Sequence, residues 1–475
     1  MKNLLFSTFE NKWNRRCFFA VLGLAIFLRL ILSIVNSDAN DSHHEVTMMI
    51  LGTGKLPDVK DCWQCYHPKL YHLTCALFYK LVPVSEPSQI RMAQLINVVA
   101  SLFLLALLLK FIAQQPWSER IKLLVFSFFA LNPGLIGINI QATNDTFVIL
   151  FSSLSIYFIW KYVRQPSWKY GGLTILFILL AAISKASGLA MFIAGLLALG
   201  IQALASLKKN SFWLHVKAGA ALSILFFLIV PFAGSYYANY KKVGRNFTTN
   251  IPISEKPFFF KKTYPPGERL GVTSIFDALF TFRFIDMLRH PYVTYEDMPL
   301  YVHRTSLWSH IYGRMCSIHY DHWPPSWVNK SPFILNLTRA QLILGLFPAA
   351  LFIIGFMLGL IKENSALKWP PPANYIFLCF MAVMFALYFK RLCDHRDINM
   401  MKIIYLFPLI LCFTFYFGEG MKWFFQKSRP VFVKIFEAGM VLLLLLGVLD
   451  ALLLLPDLLP AFLTIYSSYF HWLLD

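Results

Sequence analysis

Long apolar runs separated by short basic turns recur along almost the whole chain, and this alternation constrains the fold more than any motif does. The runs are Cys17–Val35, Met92–Ala113, Leu123–Ile140, Thr146–Val163, Tyr170–Ile183, Ala190–Leu207 and Ala218–Ser235. After a polar stretch come Gln341–Ile361, Tyr375–Phe389, Ile403–Gly418 and Phe436–Leu455. A helix needs about 20 apolar residues to cross a bilayer, and only helices and closed barrels satisfy their backbone there. The pattern therefore predicts an all-α polytopic membrane protein with about eleven transmembrane helices. Composition agrees. Of 475 residues 57% are hydrophobic and only 14% charged, which excludes a soluble enzyme, a disordered chain and a disulfide-built miniature.

Charge orders the runs. Lys2, Lys12, Arg15 and Arg16 precede the first run, which is too long for the apolar core of a signal peptide and has no cleavage site after it. Reading it as a retained span with a cytoplasmic N-terminus fixes the parity of the rest. The turns that fall inside carry Lys122, Arg164 and Lys169, Lys208 and Lys209, Lys362 and Lys368, and Lys422 to Lys434. Three parts follow. Residues 1–235 form an N-terminal transmembrane catalytic module with an acidic first outer loop at 36–91. Residues 236–335 form an outer loop or cap, read as a small α+β unit, and residues 336–475 form the C-terminal transmembrane helices.

Ionisable residues at membrane depth are costly and point to function by default. Arg29 lies in the first run and is read either as snorkelling outward or as pairing with the loop carboxylates. Lys185 stands at an outer turn with few charges around it. The outer segment Lys390–Lys402 holds Lys390, Arg391, Arg396 and Lys402 against Asp394 and Asp397. That excess of cations on the outside either signals a miscounted span or serves an anionic lipid headgroup.

The acids gather elsewhere. The first outer loop opens Asn36-Ser-Asp38-Ala-Asn-Asp41-Ser-His43-His44-Glu45. A helix beginning near Asp41 would place Glu45 one turn along and lay Val46, Met49 and Ile50 on the membrane. Such a cluster supplies a general base, or holds a divalent cation, or is a solvated loop with a capped helix. Asp145, in the next outer turn, is read as a turn and cap residue or as part of a site. Cys62 and Cys65 form a lone C-x-x-C without the second pair that a structural zinc site wants, so a local disulfide or two free thiols is expected. Cys316, His319 and His322 are read as residues of an aromatic-rich loop rather than metal ligands.

Together these pieces resemble the GT-C superfamily of polyprenyl-phosphate-sugar-dependent glycosyltransferases, and most closely its protein O-mannosyltransferase and lipid A aminoarabinose-transferase group. The run from Asp38 and Asp41 through Glu45 to Gly52, Gly54 and Pro57 resembles the family's acidic motif and first juxtamembrane helix. Tyr66-His67-Pro68-Lys69-Leu70-Tyr71 resembles its hPPlY segment, with Lys69 in place of the second proline. Asn144-Asp145 resembles the nD turn and Lys185-Ala-Ser-Gly188 the K-x-x-G turn. Arg396-Asp397 and Lys402-Ile-Ile-Tyr405 resemble the late K-x-R-Y segment more weakly.

The resemblance implies a sugar donor on polyprenyl phosphate, transferred at the outer face by inverting displacement to a glycolipid or protein acceptor. Asp41 or Asp38 would be the base, with Asp145 positioning it, the acceptor or a cation. Lys185, Arg396 and Lys402 would bind the donor phosphate, and His44, Glu45, His67 and Tyr71 would line the substrate loop. The resemblance assigns no definite cofactor, and Asp41, Glu45 and Asp145 are candidates to hold a divalent cation. Partners are membrane lipids and the lipid-linked donor, with no nucleic acid. The location implied is a bacterial inner membrane with the site facing the periplasm, or the ER membrane of a eukaryote. Two other classes make different demands on the sequence. A flippase or transporter of lipid-linked sugars should show pseudo-repeats and broken helices. An O-antigen polymerase-like enzyme would share the large outer loop but lack the acid cluster followed by His-Pro-x-Leu-Tyr.

Overall fold

The computed structural model describes residues 8–82, 85–249, 275–294, 306–320, 324–361, 372–394, 401–460 and 462–463. Every predicted apolar run carries helix. In chain order the helices begin with α1 (Lys12–Val35), α2 (His43–Thr53), α3 (Leu70–Leu81), α4 (Glu86–Ala113), α5 (Glu119–Ala130), α6 (Pro133–Asn139) and α7 (Asp145–Arg164). They continue with α8 (Trp168–Ala182), α9 (Leu189–Leu204), α10 (Phe212–Ala233) and α11 (Tyr236–Val243). The rest are α12 (Ile275–Phe280), α13 (Phe284–Arg289), α14 (Leu307–Cys316), α15 (Pro332–Ile361), α16 (Tyr375–Asp394), α17 (Ile410–Lys427) and α18 (Pro430–Leu452). No strand occurs among the described residues, so the α+β character expected of the 236–335 segment is absent from its described part.

The expected count of eleven spans is not reached among the described residues. Eight helices are long and apolar enough to cross a membrane, or nine if the bent pair α5–α6 is one span. The difference has local causes. Helix α8 has only 15 residues, and α17 carries Glu419, Lys422 and Lys427 in its second half. The pair α5–α6 bends by 49°. Pro133 sits in the first turn of α6, and the Asn132 side chain accepts from the Leu135 N–H, so a new helix starts where the old one stops.

That bend explains Arg29. It is wholly buried, so it neither snorkels nor pairs with a loop carboxylate. Its Nη1 donates to the Ala130 carbonyl at 2.8 Å and the Ala25 carbonyl at 3.0 Å. The cation thus sits at the negative end of a broken helix, where carbonyls lose their partners.

Helix α7 is buried nearly all round. It packs on α4 and α8, with α9 and α10 beyond. The second half of the chain closes the bundle through α15 against α17 and α18. Helices α10, α15 and α18 present large apolar side chains outward, among them Phe227, Leu228, Ile353 and Leu445. Asp450, inside α18, is buried and accepts from Ser317 Oγ at 2.9 Å and the Ile318 N–H at 2.7 Å. It thereby ties the turn after α14 to the last long helix. The His319 ring lies between the carbonyls of Trp327 and Asp450, at 2.7 and 3.1 Å. His319 is therefore structural, Cys316 is a buried free thiol, and His322 lies outside the described residues.

Candidate active site

The first outer loop folds back as soon as α1 ends. Asn36 donates from Nδ2 to Asn40 Oδ1 at 2.5 Å and to the Ile140 carbonyl at 3.1 Å. Asn40 adopts a left-handed conformation with φ 65°, a position asparagine tolerates well. The Asp38 carboxylate accepts the Asn40 N–H at 2.8 Å. Asp38 is thus an exposed turn-former, and Asp41 is carried to the other side of the turn. The Ala142 N–H donates to the Ala39 carbonyl at 3.3 Å, which joins this loop to the second outer turn. From α4, Asn97 Nδ2 holds that turn by the carbonyls of Gln141 and Thr143, each at 2.7 Å.

Asp41 ends beside a set of buried imidazoles. Its Oδ1 accepts from the Ser42 N–H at 2.8 Å and from Gln64 Nε2 at 2.5 Å. Its Oδ2 lies 3.9 Å from His43 Nε2, and the side chain remains 25% exposed. His43, at the start of α2, meets His72 of α3 with 2.9 Å between Nδ1 and Nε2. The His43 ring also stacks on those of His67 and His72, at 5.1 and 5.2 Å between centroids. Burial pushes the His43 imidazole down to about 4, a fall that Asp41 opposes and Lys185 deepens. Burial likewise holds His67 and His72 well below the usual histidine range, with the neighbouring His43 adding to it. Three imidazoles packed together at neutral pH are therefore uncharged.

Lys69 replaces the second proline of the family-like segment and is buried at the entrance to α3. Its Nζ donates to the Cys65 carbonyl at 2.5 Å. Burial lowers its pKa to about 8, with Asp61 pulling the other way. Tyr66 lies against His67, with ring centroids 4.0 Å apart.

The second half of the site comes from α7 and the turn before α9. Asp145, in the first turn of α7, is buried and pairs with Lys185 Nζ at 2.5 Å. Asn144 Nδ2 fixes the same turn by donating to the Ser184 carbonyl at 3.0 Å. Gly188 is needed here, because a Cβ at that position would run into the Ala181 carbonyl. The turn can close, bringing Lys185 over Asp145, only with glycine there. Burial by itself would lower the Lys185 pKa; Asp145, Tyr405 and Asp41 outweigh it and raise the value above that of an ordinary lysine. The Tyr405 ring lies 6.0 Å from Lys185 Nζ.

The site residues expected from sequence therefore separate. Asp41, His67, Asp145 and Lys185 come together, linked by the packed imidazoles and the charges around them. Asp38 and Glu45 are exposed and outside the cluster. Tyr71 is a packing residue, its hydroxyl 3.4 Å from the Ala93 carbonyl, and His44 packs against Tyr79. Lys402 is half-buried and precedes the short turn Ile403–Tyr405. Arg396 lies outside the described residues. The divalent-cation set Asp41, Glu45 and Asp145 is not assembled. Glu45 faces outward, Asp145 holds Lys185, and no group of three or more His, Cys, Asp or Glu is arranged for a metal among the described residues. Cys62 and Cys65 form a disulfide.

Sequence reasoning missed Gln64, His43, His72, Lys69 and Tyr405 as site residues. The histidines carried a usable signal, since imidazoles flanking both the acid loop and the His-Pro-Lys-Leu-Tyr segment are unusual in so apolar a chain.

Residues 66–233 match the family model described as dolichyl-phosphate-mannose-protein mannosyltransferase. No curated protein matches the chain. Among solved structures, ArnT from Cupriavidus metallidurans bound to undecaprenyl phosphate aligns at 12% identity and a TM-score of 0.37, covering 87% of this chain and 81% of that one. The same protein in its apo state aligns at 13% identity and a TM-score of 0.36, covering 85% and 77%. The family match includes the His67–Tyr71 segment, the Asn144-Asp145 turn and the Lys185–Gly188 turn, while the acids of the first loop precede it. Over that stretch, about a third of its length, the chain is similar to the protein-mannosyltransferase family.

Proposed function

We propose that this protein is a glycosyltransferase that moves a sugar from a polyprenyl-phosphate-linked donor to an acceptor hydroxyl at the outer face of the membrane. The observation that carries the reading is the juxtaposition of Asp41 with the Asp145–Lys185 pair around a core of neutral imidazoles. Asp41 Oδ2, the carboxylate oxygen not engaged by Gln64 and Ser42, takes the proton of the acceptor hydroxyl. The hydroxyl oxygen then attacks the anomeric carbon, and the bond from that carbon to the phosphate oxygen breaks. Direct displacement inverts the anomeric centre. The departing polyprenyl phosphate keeps the electron pair, and Lys185 meets its charge. Asp145 keeps Lys185 protonated and in place before the donor arrives. Arg396 and Lys402 would add positive charge on the same face, and the acceptor is a glycolipid or a protein.

The reading is tested by Asp41→Asn. Asparagine preserves size and keeps a side-chain oxygen for the Ser42 N–H and Gln64, so the variant should insert normally while transfer falls about 10²–10⁴-fold, the usual worth of a positioned base. Asp38→Asn, at an exposed turn, should stay within a few-fold of wild type. The measurement is mass spectrometry of envelope glycans and lipid A in a deletion strain complemented with each variant. Full product with Asp41→Asn at normal expression overturns the proposal.

A further inference from the structure

Between α2 and α3 the chain makes a compact turn closed by the Cys62–Cys65 disulfide, with Cα atoms 5.1 Å apart. Cys65 is wholly buried and packs with Val46, Ile50 and Ala76, so one end of the turn is anchored in the core between α2 and α3. The Cys65 N–H donates to the Cys62 carbonyl at 3.2 Å, and the His67 N–H to the Gln64 carbonyl at 3.1 Å. Lys69 Nζ grips the Cys65 carbonyl from below. Gln64, which lies inside the disulfide ring, reaches the acid with its side chain. It is buried, and its Nε2 donates to Asp41 Oδ1 at 2.5 Å. Its Oε1 is buried too and has no partner among the described residues. Buried polar atoms are normally satisfied, so the amide is held where it serves Asp41 at the cost of its own second bond.

We infer that Gln64 is a positioning residue for Asp41 and that the Cys62–Cys65 disulfide holds it in register. The inference deepens the glycosyltransferase reading and rests on Asp41 being the base. Gln64 occupies Oδ1 and thereby fixes which carboxylate oxygen is presented to the acceptor. Without the disulfide, Gln64 sits in a loop whose outer half, Asp58 to Trp63, is only partly buried and loses its side-chain cross-link to the buried Cys65. Reduction converts the disulfide to two thiols and oxidises a dithiol reagent to its cyclic disulfide. The other six cysteines are free thiols, so this is the bond a mild reductant acts on.

The test uses the full chain, purified in detergent and complemented in the deletion strain. Gln64→Leu keeps most of the volume and removes the donor. Product formation should fall about ten- to a hundredfold, the worth of a hydrogen bond to a charged group. Binding of undecaprenyl phosphate alone, used as the probe of the phosphate end, should not change. Dithiothreitol should lower wild-type transfer by a similar factor and leave Gln64→Leu no worse, because both act on the same contact. Cys62→Ser with Cys65→Ser should reproduce the reduced wild type. If that pair fails to fold, reduction of the folded wild type still decides. The inference is overturned if Gln64→Leu transfers normally while Asp41→Asn does not. It is also overturned if reduction is without effect, or if it lowers wild type and Gln64→Leu by the same factor. Normal transfer by Asp41→Asn would instead remove the base itself and the reading beneath.

Discussion

At the scale of single residues the candidate site sorts charge. His43, His67 and His72 are buried together, and burial keeps all three neutral. Neutral rings let the fixed charges, Asp41 on one side and Asp145 with Lys185 on the other, stand close without a cation cluster between them. The same burial makes stability pH-dependent. Above pH 6.5 the imidazole of His43 is neutral folded or unfolded. Between 6.5 and about 4 the unfolded chain takes up a proton that folded His43 refuses, so stability falls as pH drops through that window. The melting temperature in detergent should therefore decline from pH 7 to pH 4.5, and His43→Asn should flatten that decline. Equal slopes for the two proteins would mean that His43 titrates normally. Asp38 and Asp41 could not be told apart in the sequence, because both stand in the same polar run. What separates them is the left-handed Asn40 between them, which spends one carboxylate on the turn and turns the other toward the histidines.

At the scale of helices, α15 and α17 approach each other backbone to backbone. Gly355 of α15 faces the backbone of α17 at Tyr416 and Gly420, and Gly420 faces the Leu351 carbonyl in return. A Cβ on either would overlap a carbonyl oxygen, so the pair depends on small residues at the crossing, as apolar helices in lipid commonly do. Gly355→Ala should destabilise the protein by about 1–3 kcal/mol through overpacking. Gly200→Ala is the control: it lies in α9 with open space where its Cβ would go, and alanine there should leave the melting temperature level or raise it slightly. A drop in both would mean that the helix crossing is not the cause. The helices themselves were legible as apolar runs, but which of them touch was not. A run of Leu, Phe and Ile reads alike whether lipid or protein covers it.

Across the whole molecule, the basic turns predict that the site faces away from the cytoplasm. Lys55, beyond α2, and Lys208, beyond α9, are both exposed and lie on opposite sides in that arrangement. In intact spheroplasts an impermeant maleimide should label Lys55→Cys and should label Lys208→Cys only after detergent. The reverse pattern would invert the map and put the site in the cytoplasm. The native cysteines interfere little, because five of the six free thiols are buried and the other two cysteines are joined.

Taken by itself, the sequence determined the solvent and the helical class, and it singled out candidate site residues. Each follows from local chemistry: about 20 apolar residues demand a bilayer, and polar groups at membrane depth are too costly to be incidental. It also carried the family-like turns, because Asn144-Asp145 and Lys185–Gly188 are short and contiguous. Only the tertiary structure decided that these two turns close on each other as an ion pair. Only it turned Arg29 to a helix end, left Glu45 outside, and placed Gln64 on Asp41. Those facts depend on residues 23 to 101 positions apart meeting in space. Such meetings are set by how the helices pack, which no local pattern of residue types encodes.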